Sequence, residues 1–249
     1  MGITSVAIYT DADRYALHVK KADESYFIGN DPLSGYLNAH RIVNLAVTAR
    51  CDGIHPGYGF LSENPQLAEI CKRRGIKFIG PDHHVIKKMG DKIQARKAMI
   101  EAGVPVIPGS DGNIKDLNEA KKIAGEIGYP VMLKATNGGG GRGIRRCDNE
   151  KELNSNYDRV ISEATKAFGS PEVFIEKCVL TPKHIEVQVI ADQHGNAIHL
   201  YERDCSIQRR NQKLIEIAPS PQLNEEQRNY IGQLAVKAAK AVNYENAGT

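Results

Sequence analysis

The sequence predicts an α/β protein, with a parallel βαβ amino-terminal third, then a hairpin carrying a glycine-rich flap, then a run of antiparallel strands. Three observations carry this reading. The first eighty residues alternate short apolar runs with helical patterns, the logic of parallel βαβ units. The segment Pro130-Val-Met-Leu-Lys-Ala-Thr-Asn-Gly-Gly-Gly-Gly-Arg-Gly143 leads from an apolar run into four consecutive glycines. Three further strand patterns then crowd into residues 184–218.

Taken in order, the pattern predicts strands over residues 3–9, 53–55 and 77–79, with helices over 38–49 and 65–73 between them. Helical patterns follow over 85–88 and 92–101, ending in the proline-bearing connector Val104-Pro-Val-Ile-Pro108. A helix over 117–127 precedes strands over 131–134 and 143–146, which flank the glycines. A longer helix over 150–167 and a strand over 173–177 come next. Strands over 184–191 and 197–204 are joined by a turn at 192–196, a third spans 213–218, and an amphipathic helix spans 224–242. The terminal Ala-Gly-Thr reads as a turn with no strand to receive it. Neither internal repeats nor low-complexity segments occur.

The glycine run points to a phosphate. Four glycines in a row neither hold a helix nor pack as a strand, but they lay bare backbone N–H groups that can cradle an anion. Lys134 at the strand end supplies charge. A P-loop needs Gly-Lys-Ser/Thr feeding a helix, and a dinucleotide fold needs spaced glycines before a helix; here Gly143 leads into a second strand. The pattern fits a flap between antiparallel strands that closes over a triphosphate, with a glycine-rich surface hairpin as the alternative.

Other segments add chemistry. In His184-Ile-Glu-Val-Gln-Val189, alternation places His184, Glu186 and Gln188 on one strand face, either a polar cleft or a solvated sheet face. Glu202-Arg-Asp-Cys-Ser-Ile-Gln-Arg-Arg-Asn-Gln-Lys213 packs acids, bases and amides into a dozen residues. Asn211 and Lys213 share strand parity and Gln208 does not, so one site holding all three needs a turn or bulge; an exposed charged hairpin is the other reading. The glycines of His55-Pro-Gly-Tyr-Gly-Phe-Leu-Ser-Glu-Asn64 let backbone approach a ligand beyond a strand's carboxyl end. Met89-Gly-Asp-Lys92 opens a helix whose first N–H groups, with Lys92, favour a phosphate; a surface lysine is the plain alternative.

Composition sets outer limits. The 249 residues, 41% hydrophobic and 25% charged, suit an ordinary globular protein of one or two domains, and a net charge of +3 is too slight to argue for nucleic acid. No apolar run approaches the ~20 residues of a membrane-spanning helix, and the amino terminus has no signal-peptide core. Five widely spaced cysteines without a CxxC or His-rich pairing suggest reduced structural thiols in a cytoplasmic protein rather than zinc ligands.

Taken together, His55-Pro-Gly-Tyr-Gly-Phe-Leu-Ser-Glu-Asn64, Met89-Gly-Asp-Lys92, Gly103-Val-Pro-Val-Ile-Pro-Gly109, the Lys134 flap and Glu202-Arg-Asp-Cys-Ser-Ile-Gln-Arg-Arg210 resemble biotin carboxylases over essentially the whole chain. The 213–221 continuation resembles the subunits of pyruvate carboxylase and related enzymes. The resemblance implies an incomplete parallel βαβ amino-terminal domain (residues 1–79), a helical linker (80–106), an ATP-grasp lid with the glycine flap (107–178) and the start of an antiparallel-sheet ATP-grasp domain (179–249). It implies a ligase that uses ATP and bicarbonate to carboxylate the ureido nitrogen of biotin on a biotin carboxyl carrier protein, alongside a carboxyltransferase subunit. The full-length form is expected to be a homodimer, with no nucleic-acid or membrane partner.

By the same resemblance, Lys92 and Lys134 hold ATP phosphates, Gly139, Gly140 and Gly141 form the flap, and Glu176, Lys177 and Val179 form the adenine hinge. His184 and Gln208 face the nucleotide, and Asn211 stands where a histidine is frequent. Lys213 lies beside bicarbonate as the catalytic residue, and Tyr58 and Gly59 meet biotin. Family members begin one strand and one helix earlier and continue past Thr249 into the acidic Mg²⁺ ligands and the groups that act on biotin and bicarbonate. The chain therefore reads as a fragment lacking both ends that alone binds ATP without turnover, since losing a phosphoryl-transfer clamp costs ~10³-fold or more. Another ATP-grasp ligase, of carbamoyl-phosphate or carboxylate–amine type, and a non-catalytic remnant that binds a partner are the alternatives.

Overall fold

A computed structural model describes residues 2–136, 143–209 and 212–249. The chain divides into two compact units, Met1–Lys87 with Tyr244–Asn246 and Lys88–Asn243 with Ala247–Thr249.

The first unit has the parallel strand pairing the alternation implied. β1 (Val6–Thr10) pairs with β2 (Glu24–Gly29) and β3 (Gly53–Ile54) with β4 (Lys77–Phe78), both in parallel. Helices α1 (Leu17–Lys21), α2 (Pro32–Tyr36), α3 (Ala39–Thr48) and α4 (Pro65–Arg74) fill the connections. Local chemistry sets the helix ends. The Asn38 and Asn64 side chains accept the N–H groups of Arg41 and Gln66, and Gly75 ends α4 at φ 70°, a left-handed cap. The apolar stripes of α3 and α4 (Ile42, Val43, Leu67, Ile70, Cys71) close over Ile76 and Phe78 to make one core. Three expectations need correction. The first strand starts at Val6 rather than Ile3, which is exposed, and β2 and the helices flanking it were not foreseen.

The division between the units falls within α5 (His83–Gly90), and α6 (Lys92–Glu101) follows. Next come α7 (Leu117–Ile127), β5 (Val131–Ala135), β6 (Ile144–Cys147), α8 (Glu150–Phe168) and β7 (Val173–Lys177), with β5 central and antiparallel to both neighbours. Alternation decides what each face does. Val131, Leu133, Val173 and Ile175 are buried with Ala120, Ala124, Leu153 and Val160 of the two helices, while Met132, Lys134 and Glu176 are only partly covered.

The last sheet runs β10-β9-β8-β11, formed by β8 (Ile185–Ala191), β9 (Ala197–Arg209), β10 (Gln212–Ile217) and β11 (Asn246–Gly248). β9 continues well past its expected end at 204. The terminal residues are not a bare turn: Asn246–Gly248 is a strand, and the Gln188 side-chain amide donates to the Gly248 carbonyl at 2.8 Å. The final helix, α9 (Glu225–Ala241), starts with a reciprocal capping box between Asn224 and Gln227 and packs on β9. There a Cβ at Gly232 would meet the His199 ring at 2.5 Å, so any side chain at this position would displace that ring.

Glu202 is 2% exposed and turned toward α9, where both its oxygens accept from Arg228 Nε at 2.9 and 3.0 Å. Burial works to raise its carboxyl, but the Arg228 guanidinium and backbone donors, the Ser220 N–H among them, outweigh it and hold the group below the ordinary 4.5. The stability gained is therefore complete above pH 4.5 and lost as acid carries the pH through the lower folded value. Replacing Arg228 with Met should cost about 3–5 kcal/mol of urea-unfolding free energy at neutral pH by stranding a buried carboxylate. The gap should narrow as the pH falls through the Glu202 titration, and an unchanged midpoint at pH 7 would refute the assignment.

Candidate active site

Two polar patches in the second unit gather most of the residues singled out by sequence. The first lies on the half-covered face of β5 and β7. Lys134 is paired with Phe174 and Met132 with Glu176, so Lys134 and Glu176 are diagonal neighbours on one face, and their side chains form an ion pair. Lys92, from the first turn of α6, joins them from a distant part of the chain. Its Nζ lies 3.5 Å from the Ala135 carbonyl oxygen and 5.9 Å from the centre of the Phe174 ring. Burial, then repulsion from Lys134, push the Lys92 ammonium below the ordinary lysine value, while Glu176 pulls the other way. Two cations around one carboxylate make a net positive patch, complementary to a polyanion.

The helix that carries Lys92 corrects one expectation. The N–H groups of Ile93 and Gln94 donate to the Asp91 carboxylate at 2.9 and 3.0 Å, so this helix start is already capped and its positive contribution is the Lys92 side chain. The flap residues Gly139, Gly140 and Gly141 lie outside the described residues. Gly143, which follows them, is described: it has φ 66°, and a Cβ there would meet Ala135 Cβ at 2.8 Å. At the other end of β7, the Lys177 N–H donates to the Pro108 carbonyl at 2.7 Å. Its ammonium donates to the Gly128 and Tyr129 carbonyls at 2.8 and 3.0 Å, so Lys177 ties the end of α7 to β7. Val179, just beyond, is half exposed.

The second patch lies on β8, β9 and β10. The chain reverses between Arg209 and Gln212, which sets Lys213 directly opposite Gln208. This resolves the parity conflict, since opposed residues of an antiparallel pair share a face. Asn211 lies outside the described residues. The Gln208 amide touches His184 Nδ1, and Lys213 forms an ion pair with Glu186. Glu186 also accepts from Arg203 Nε at 2.9 Å, and Arg203 Nη1 donates to Gln188 Oε1 at 3.0 Å. His184, Glu186 and Gln188 therefore do share a polar face. Burial alone would raise the Glu186 carboxyl, but Lys213 and Arg203 hold it low. In return the Glu186 bond raises Lys213, keeping it a cation. Arg203 was missed; only the pairing Glu186↔Arg203 identifies it, and residue type alone carried no signal.

Tyr58 and Gly59 belong to the first unit. Their loop is held by its own bonds, Gly57 N–H to His55 Nδ1 at 3.0 Å and Ser62 N–H to Gly59 O at 2.9 Å, and Tyr58 is 94% exposed.

Residues 1–86 match the family model for "Biotin carboxylase, N-terminal domain", and residues 91–249 match "Carbamoyl-phosphate synthase L chain, ATP binding domain". The chain belongs to the biotin carboxylase family. It is 59% identical to the 2-oxoglutarate carboxylase small subunit of Hydrogenobacter thermophilus, covering 100% of this chain and 53% of that protein. Against biotin carboxylase 2 of Bacillus subtilis the figures are 54%, 100% and 56%. The chain thus spans about half the length of the curated relatives it matches. Among solved structures it superposes on a Campylobacter jejuni biotin carboxylase–β,γ-ATP complex with a TM-score of 0.93 at 51% identity, over 99% of this chain and 56% of that one. With the biotin carboxylase domain dimer of the Hydrogenobacter enzyme, in complex with MgADP, ADP and bicarbonate, the TM-score is 0.91 at 59% identity, over 99% and 54%.

The cofactor fit differs by group. The paired lysines suit a nucleotide's phosphates. Mg²⁺ is served less well: among the described residues of the second unit, the ligand-like group is Glu186, Cys205 and Glu216. Its thiol is the wrong donor for a hard cation, and Lys213 and Arg203 already engage Glu186.

The β6-β5-β7 sheet is extended at its β7 edge by an isolated bridge from Gly109 to Glu176. A Cβ at Gly109 would stand 2.5 Å from the Ile175 carbonyl oxygen, whereas one at Gly112 meets nothing within 4 Å. Gly109→Ala should therefore cost about 1–3 kcal/mol in unfolding free energy, as overpacking against backbone does, with Gly112→Ala as the near-neutral control. Equal stability of the two variants would show that the edge yields freely.

Proposed function

We propose that this chain supplies the nucleotide-phosphate site and the bicarbonate-side lysine of an enzyme that carboxylates biotin, using ATP and bicarbonate. The observation that carries the proposal is the convergence of Lys92 and Lys134, from separate elements, beside Glu176 on one face. Bound nucleotide phosphates would be neutralised by the two ammonium groups, with Gly139, Gly140 and Gly141 closing over them. With the Lys177 N–H already bonded to Pro108, the hinge groups left to meet adenine are those around Val179, beside Glu176. His184, Gln208 and Asn211 line the nucleotide side.

Lys213 takes the role of orienting anionic bicarbonate. Its pairing with Glu186 keeps it protonated, so it attracts and positions an anion rather than removing a proton from it. Mg²⁺, when bound, supplies charge compensation on the phosphates. Tyr58 and Gly59 present the loop proposed to meet biotin. A biotin carboxyl carrier protein is the proposed substrate and a carboxyltransferase subunit the proposed neighbour, in a homodimeric, cytoplasmic enzyme. No helix among the described residues is long and apolar enough to cross a membrane. The domain limits proposed are residues 1–79, 80–106, 107–178 and 179–249. The description matched by residues 91–249 favours one second reading, a carbamoyl-phosphate-type ligase.

Calorimetry with ADP tests the phosphate site. Lys92→Gln and Lys134→Gln should each weaken binding about 10- to 100-fold, the worth of a charge-assisted hydrogen bond; undiminished binding in both would remove the basis of the proposal. ATP cleavage that ignores biotin would favour the second reading. Because Lys92 loses its proton below the ordinary lysine value of 10.5, ADP affinity should decline on the alkaline side before that value is reached. Lys92→Arg, charged throughout, should flatten that decline.

A further inference from the structure

In the first unit, Asp82, His83 and His84 bring three ligand-type atoms within 4.8 Å of one another, at the point where the chain leaves β4 and enters α5. Three features set this group apart from an ordinary polar turn. His83 Nδ1 is buried and makes no hydrogen bond among the described residues, approaching Asp82 only at ion-pair range. That nitrogen stands 3.2 Å from Asp82 Oδ1. Two donors held about 2.1 Å from a common ion stand roughly 3.0 Å apart at an octahedral angle and roughly 3.4 Å at a tetrahedral one, so the pair already has a chelating bite. The exposed His84 ring lies against His83 with centroids 3.9 Å apart, and one of its nitrogens lies within 4.8 Å of the other two ligand atoms.

The carboxylate is held for this role from both sides. Asp82 Oδ2 accepts from Lys72 Nζ at 2.9 Å, and Oδ1 accepts the His84 N–H at 2.9 Å while keeping a second lone pair. We infer that Asp82, His83 and His84 form a binding site for one divalent transition metal of the Zn²⁺ type. Two imidazoles and a carboxylate suit Zn²⁺, Co²⁺ or Ni²⁺ and not the all-oxygen shells of Mg²⁺ and Ca²⁺. The Lys72 ammonium and the positive end of α5 oppose a cation, so the site is of moderate affinity, with water completing the shell. No sequence spacing motif flagged it, because such motifs seek ligands separated along the chain and these are consecutive.

The test is titration of the metal-free full chain with Co²⁺ and Zn²⁺, reading the Co²⁺ visible spectrum and Zn²⁺ calorimetry. One equivalent should bind with a nitrogen–oxygen spectrum free of thiolate charge-transfer bands. His84→Ala, at an exposed position that leaves folding intact, should weaken it about 10- to 100-fold, and Asp82→Asn likewise. Binding unchanged in both variants, a thiolate spectrum, or equal displacement by Mg²⁺ would overturn the inference.

Discussion

The register of β9 decides which charges this chain buries and which it presents. β9 is paired on both edges and covered on one face by α9. Successive side chains go opposite ways: Glu202 inward to Arg228, Arg203 outward to Glu186 and Gln188, and Asp204 inward to Ser220. A slip of one residue would drive the Arg203 guanidinium into the packed face and strand Glu202 outside it. The buried Glu202–Arg228 pair therefore does more than its modest net stabilisation suggests, since it penalises the alternative registers. Irregular pairing of β10 with β9 beyond Lys213, and of β8 with β9 beyond Val187, bends the sheet, and Lys213 and Glu186 flank these points.

The β6-β5-β7 sheet reaches a similar end with a plainer device. Strict alternation on β5 divides an apolar face under two helices from a face carrying Lys134. What turns that face into a site is an element from elsewhere: α6, capped by Asp91, delivers Lys92 over the Phe174 ring. Neither lysine on its own distinguishes itself from a surface residue.

Much of this was legible in the sequence, and the gaps have physical causes. Periodicity located most helices and the β5–β6 hairpin, and the ordered motifs identified the family. β2 escaped because only Ile28 among its residues is buried, leaving no alternation to detect. β11 escaped because Asn-Ala-Gly has no strand propensity of its own, and its conformation comes from its place beside β8. The parity of Gln208 and Lys213 became clear only once a hairpin, rather than a single strand, joined them. Arg203 was hidden for the same reason, since cross-strand partners depend on register and not on local composition.

Of the three lysines in the proposed function, Lys213 and Lys92 are driven in opposite directions, and the contrast fits the different roles proposed for them. Lys213 accepts a carboxylate partner and rises, so across the physiological range it is a fixed positive charge. Lys92 is desolvated and faces a second ammonium, so its charge costs more to hold than an ordinary lysine's. An arriving polyanion relieves that cost, and the anion and the proton on Lys92 therefore stabilise each other. Environments that push like groups apart in this way separate a fixed electrostatic anchor from a ligand-responsive one. A single chain thus holds one lysine suited to keeping a small anion in place and another whose charge is most favourable when a phosphate stands beside it.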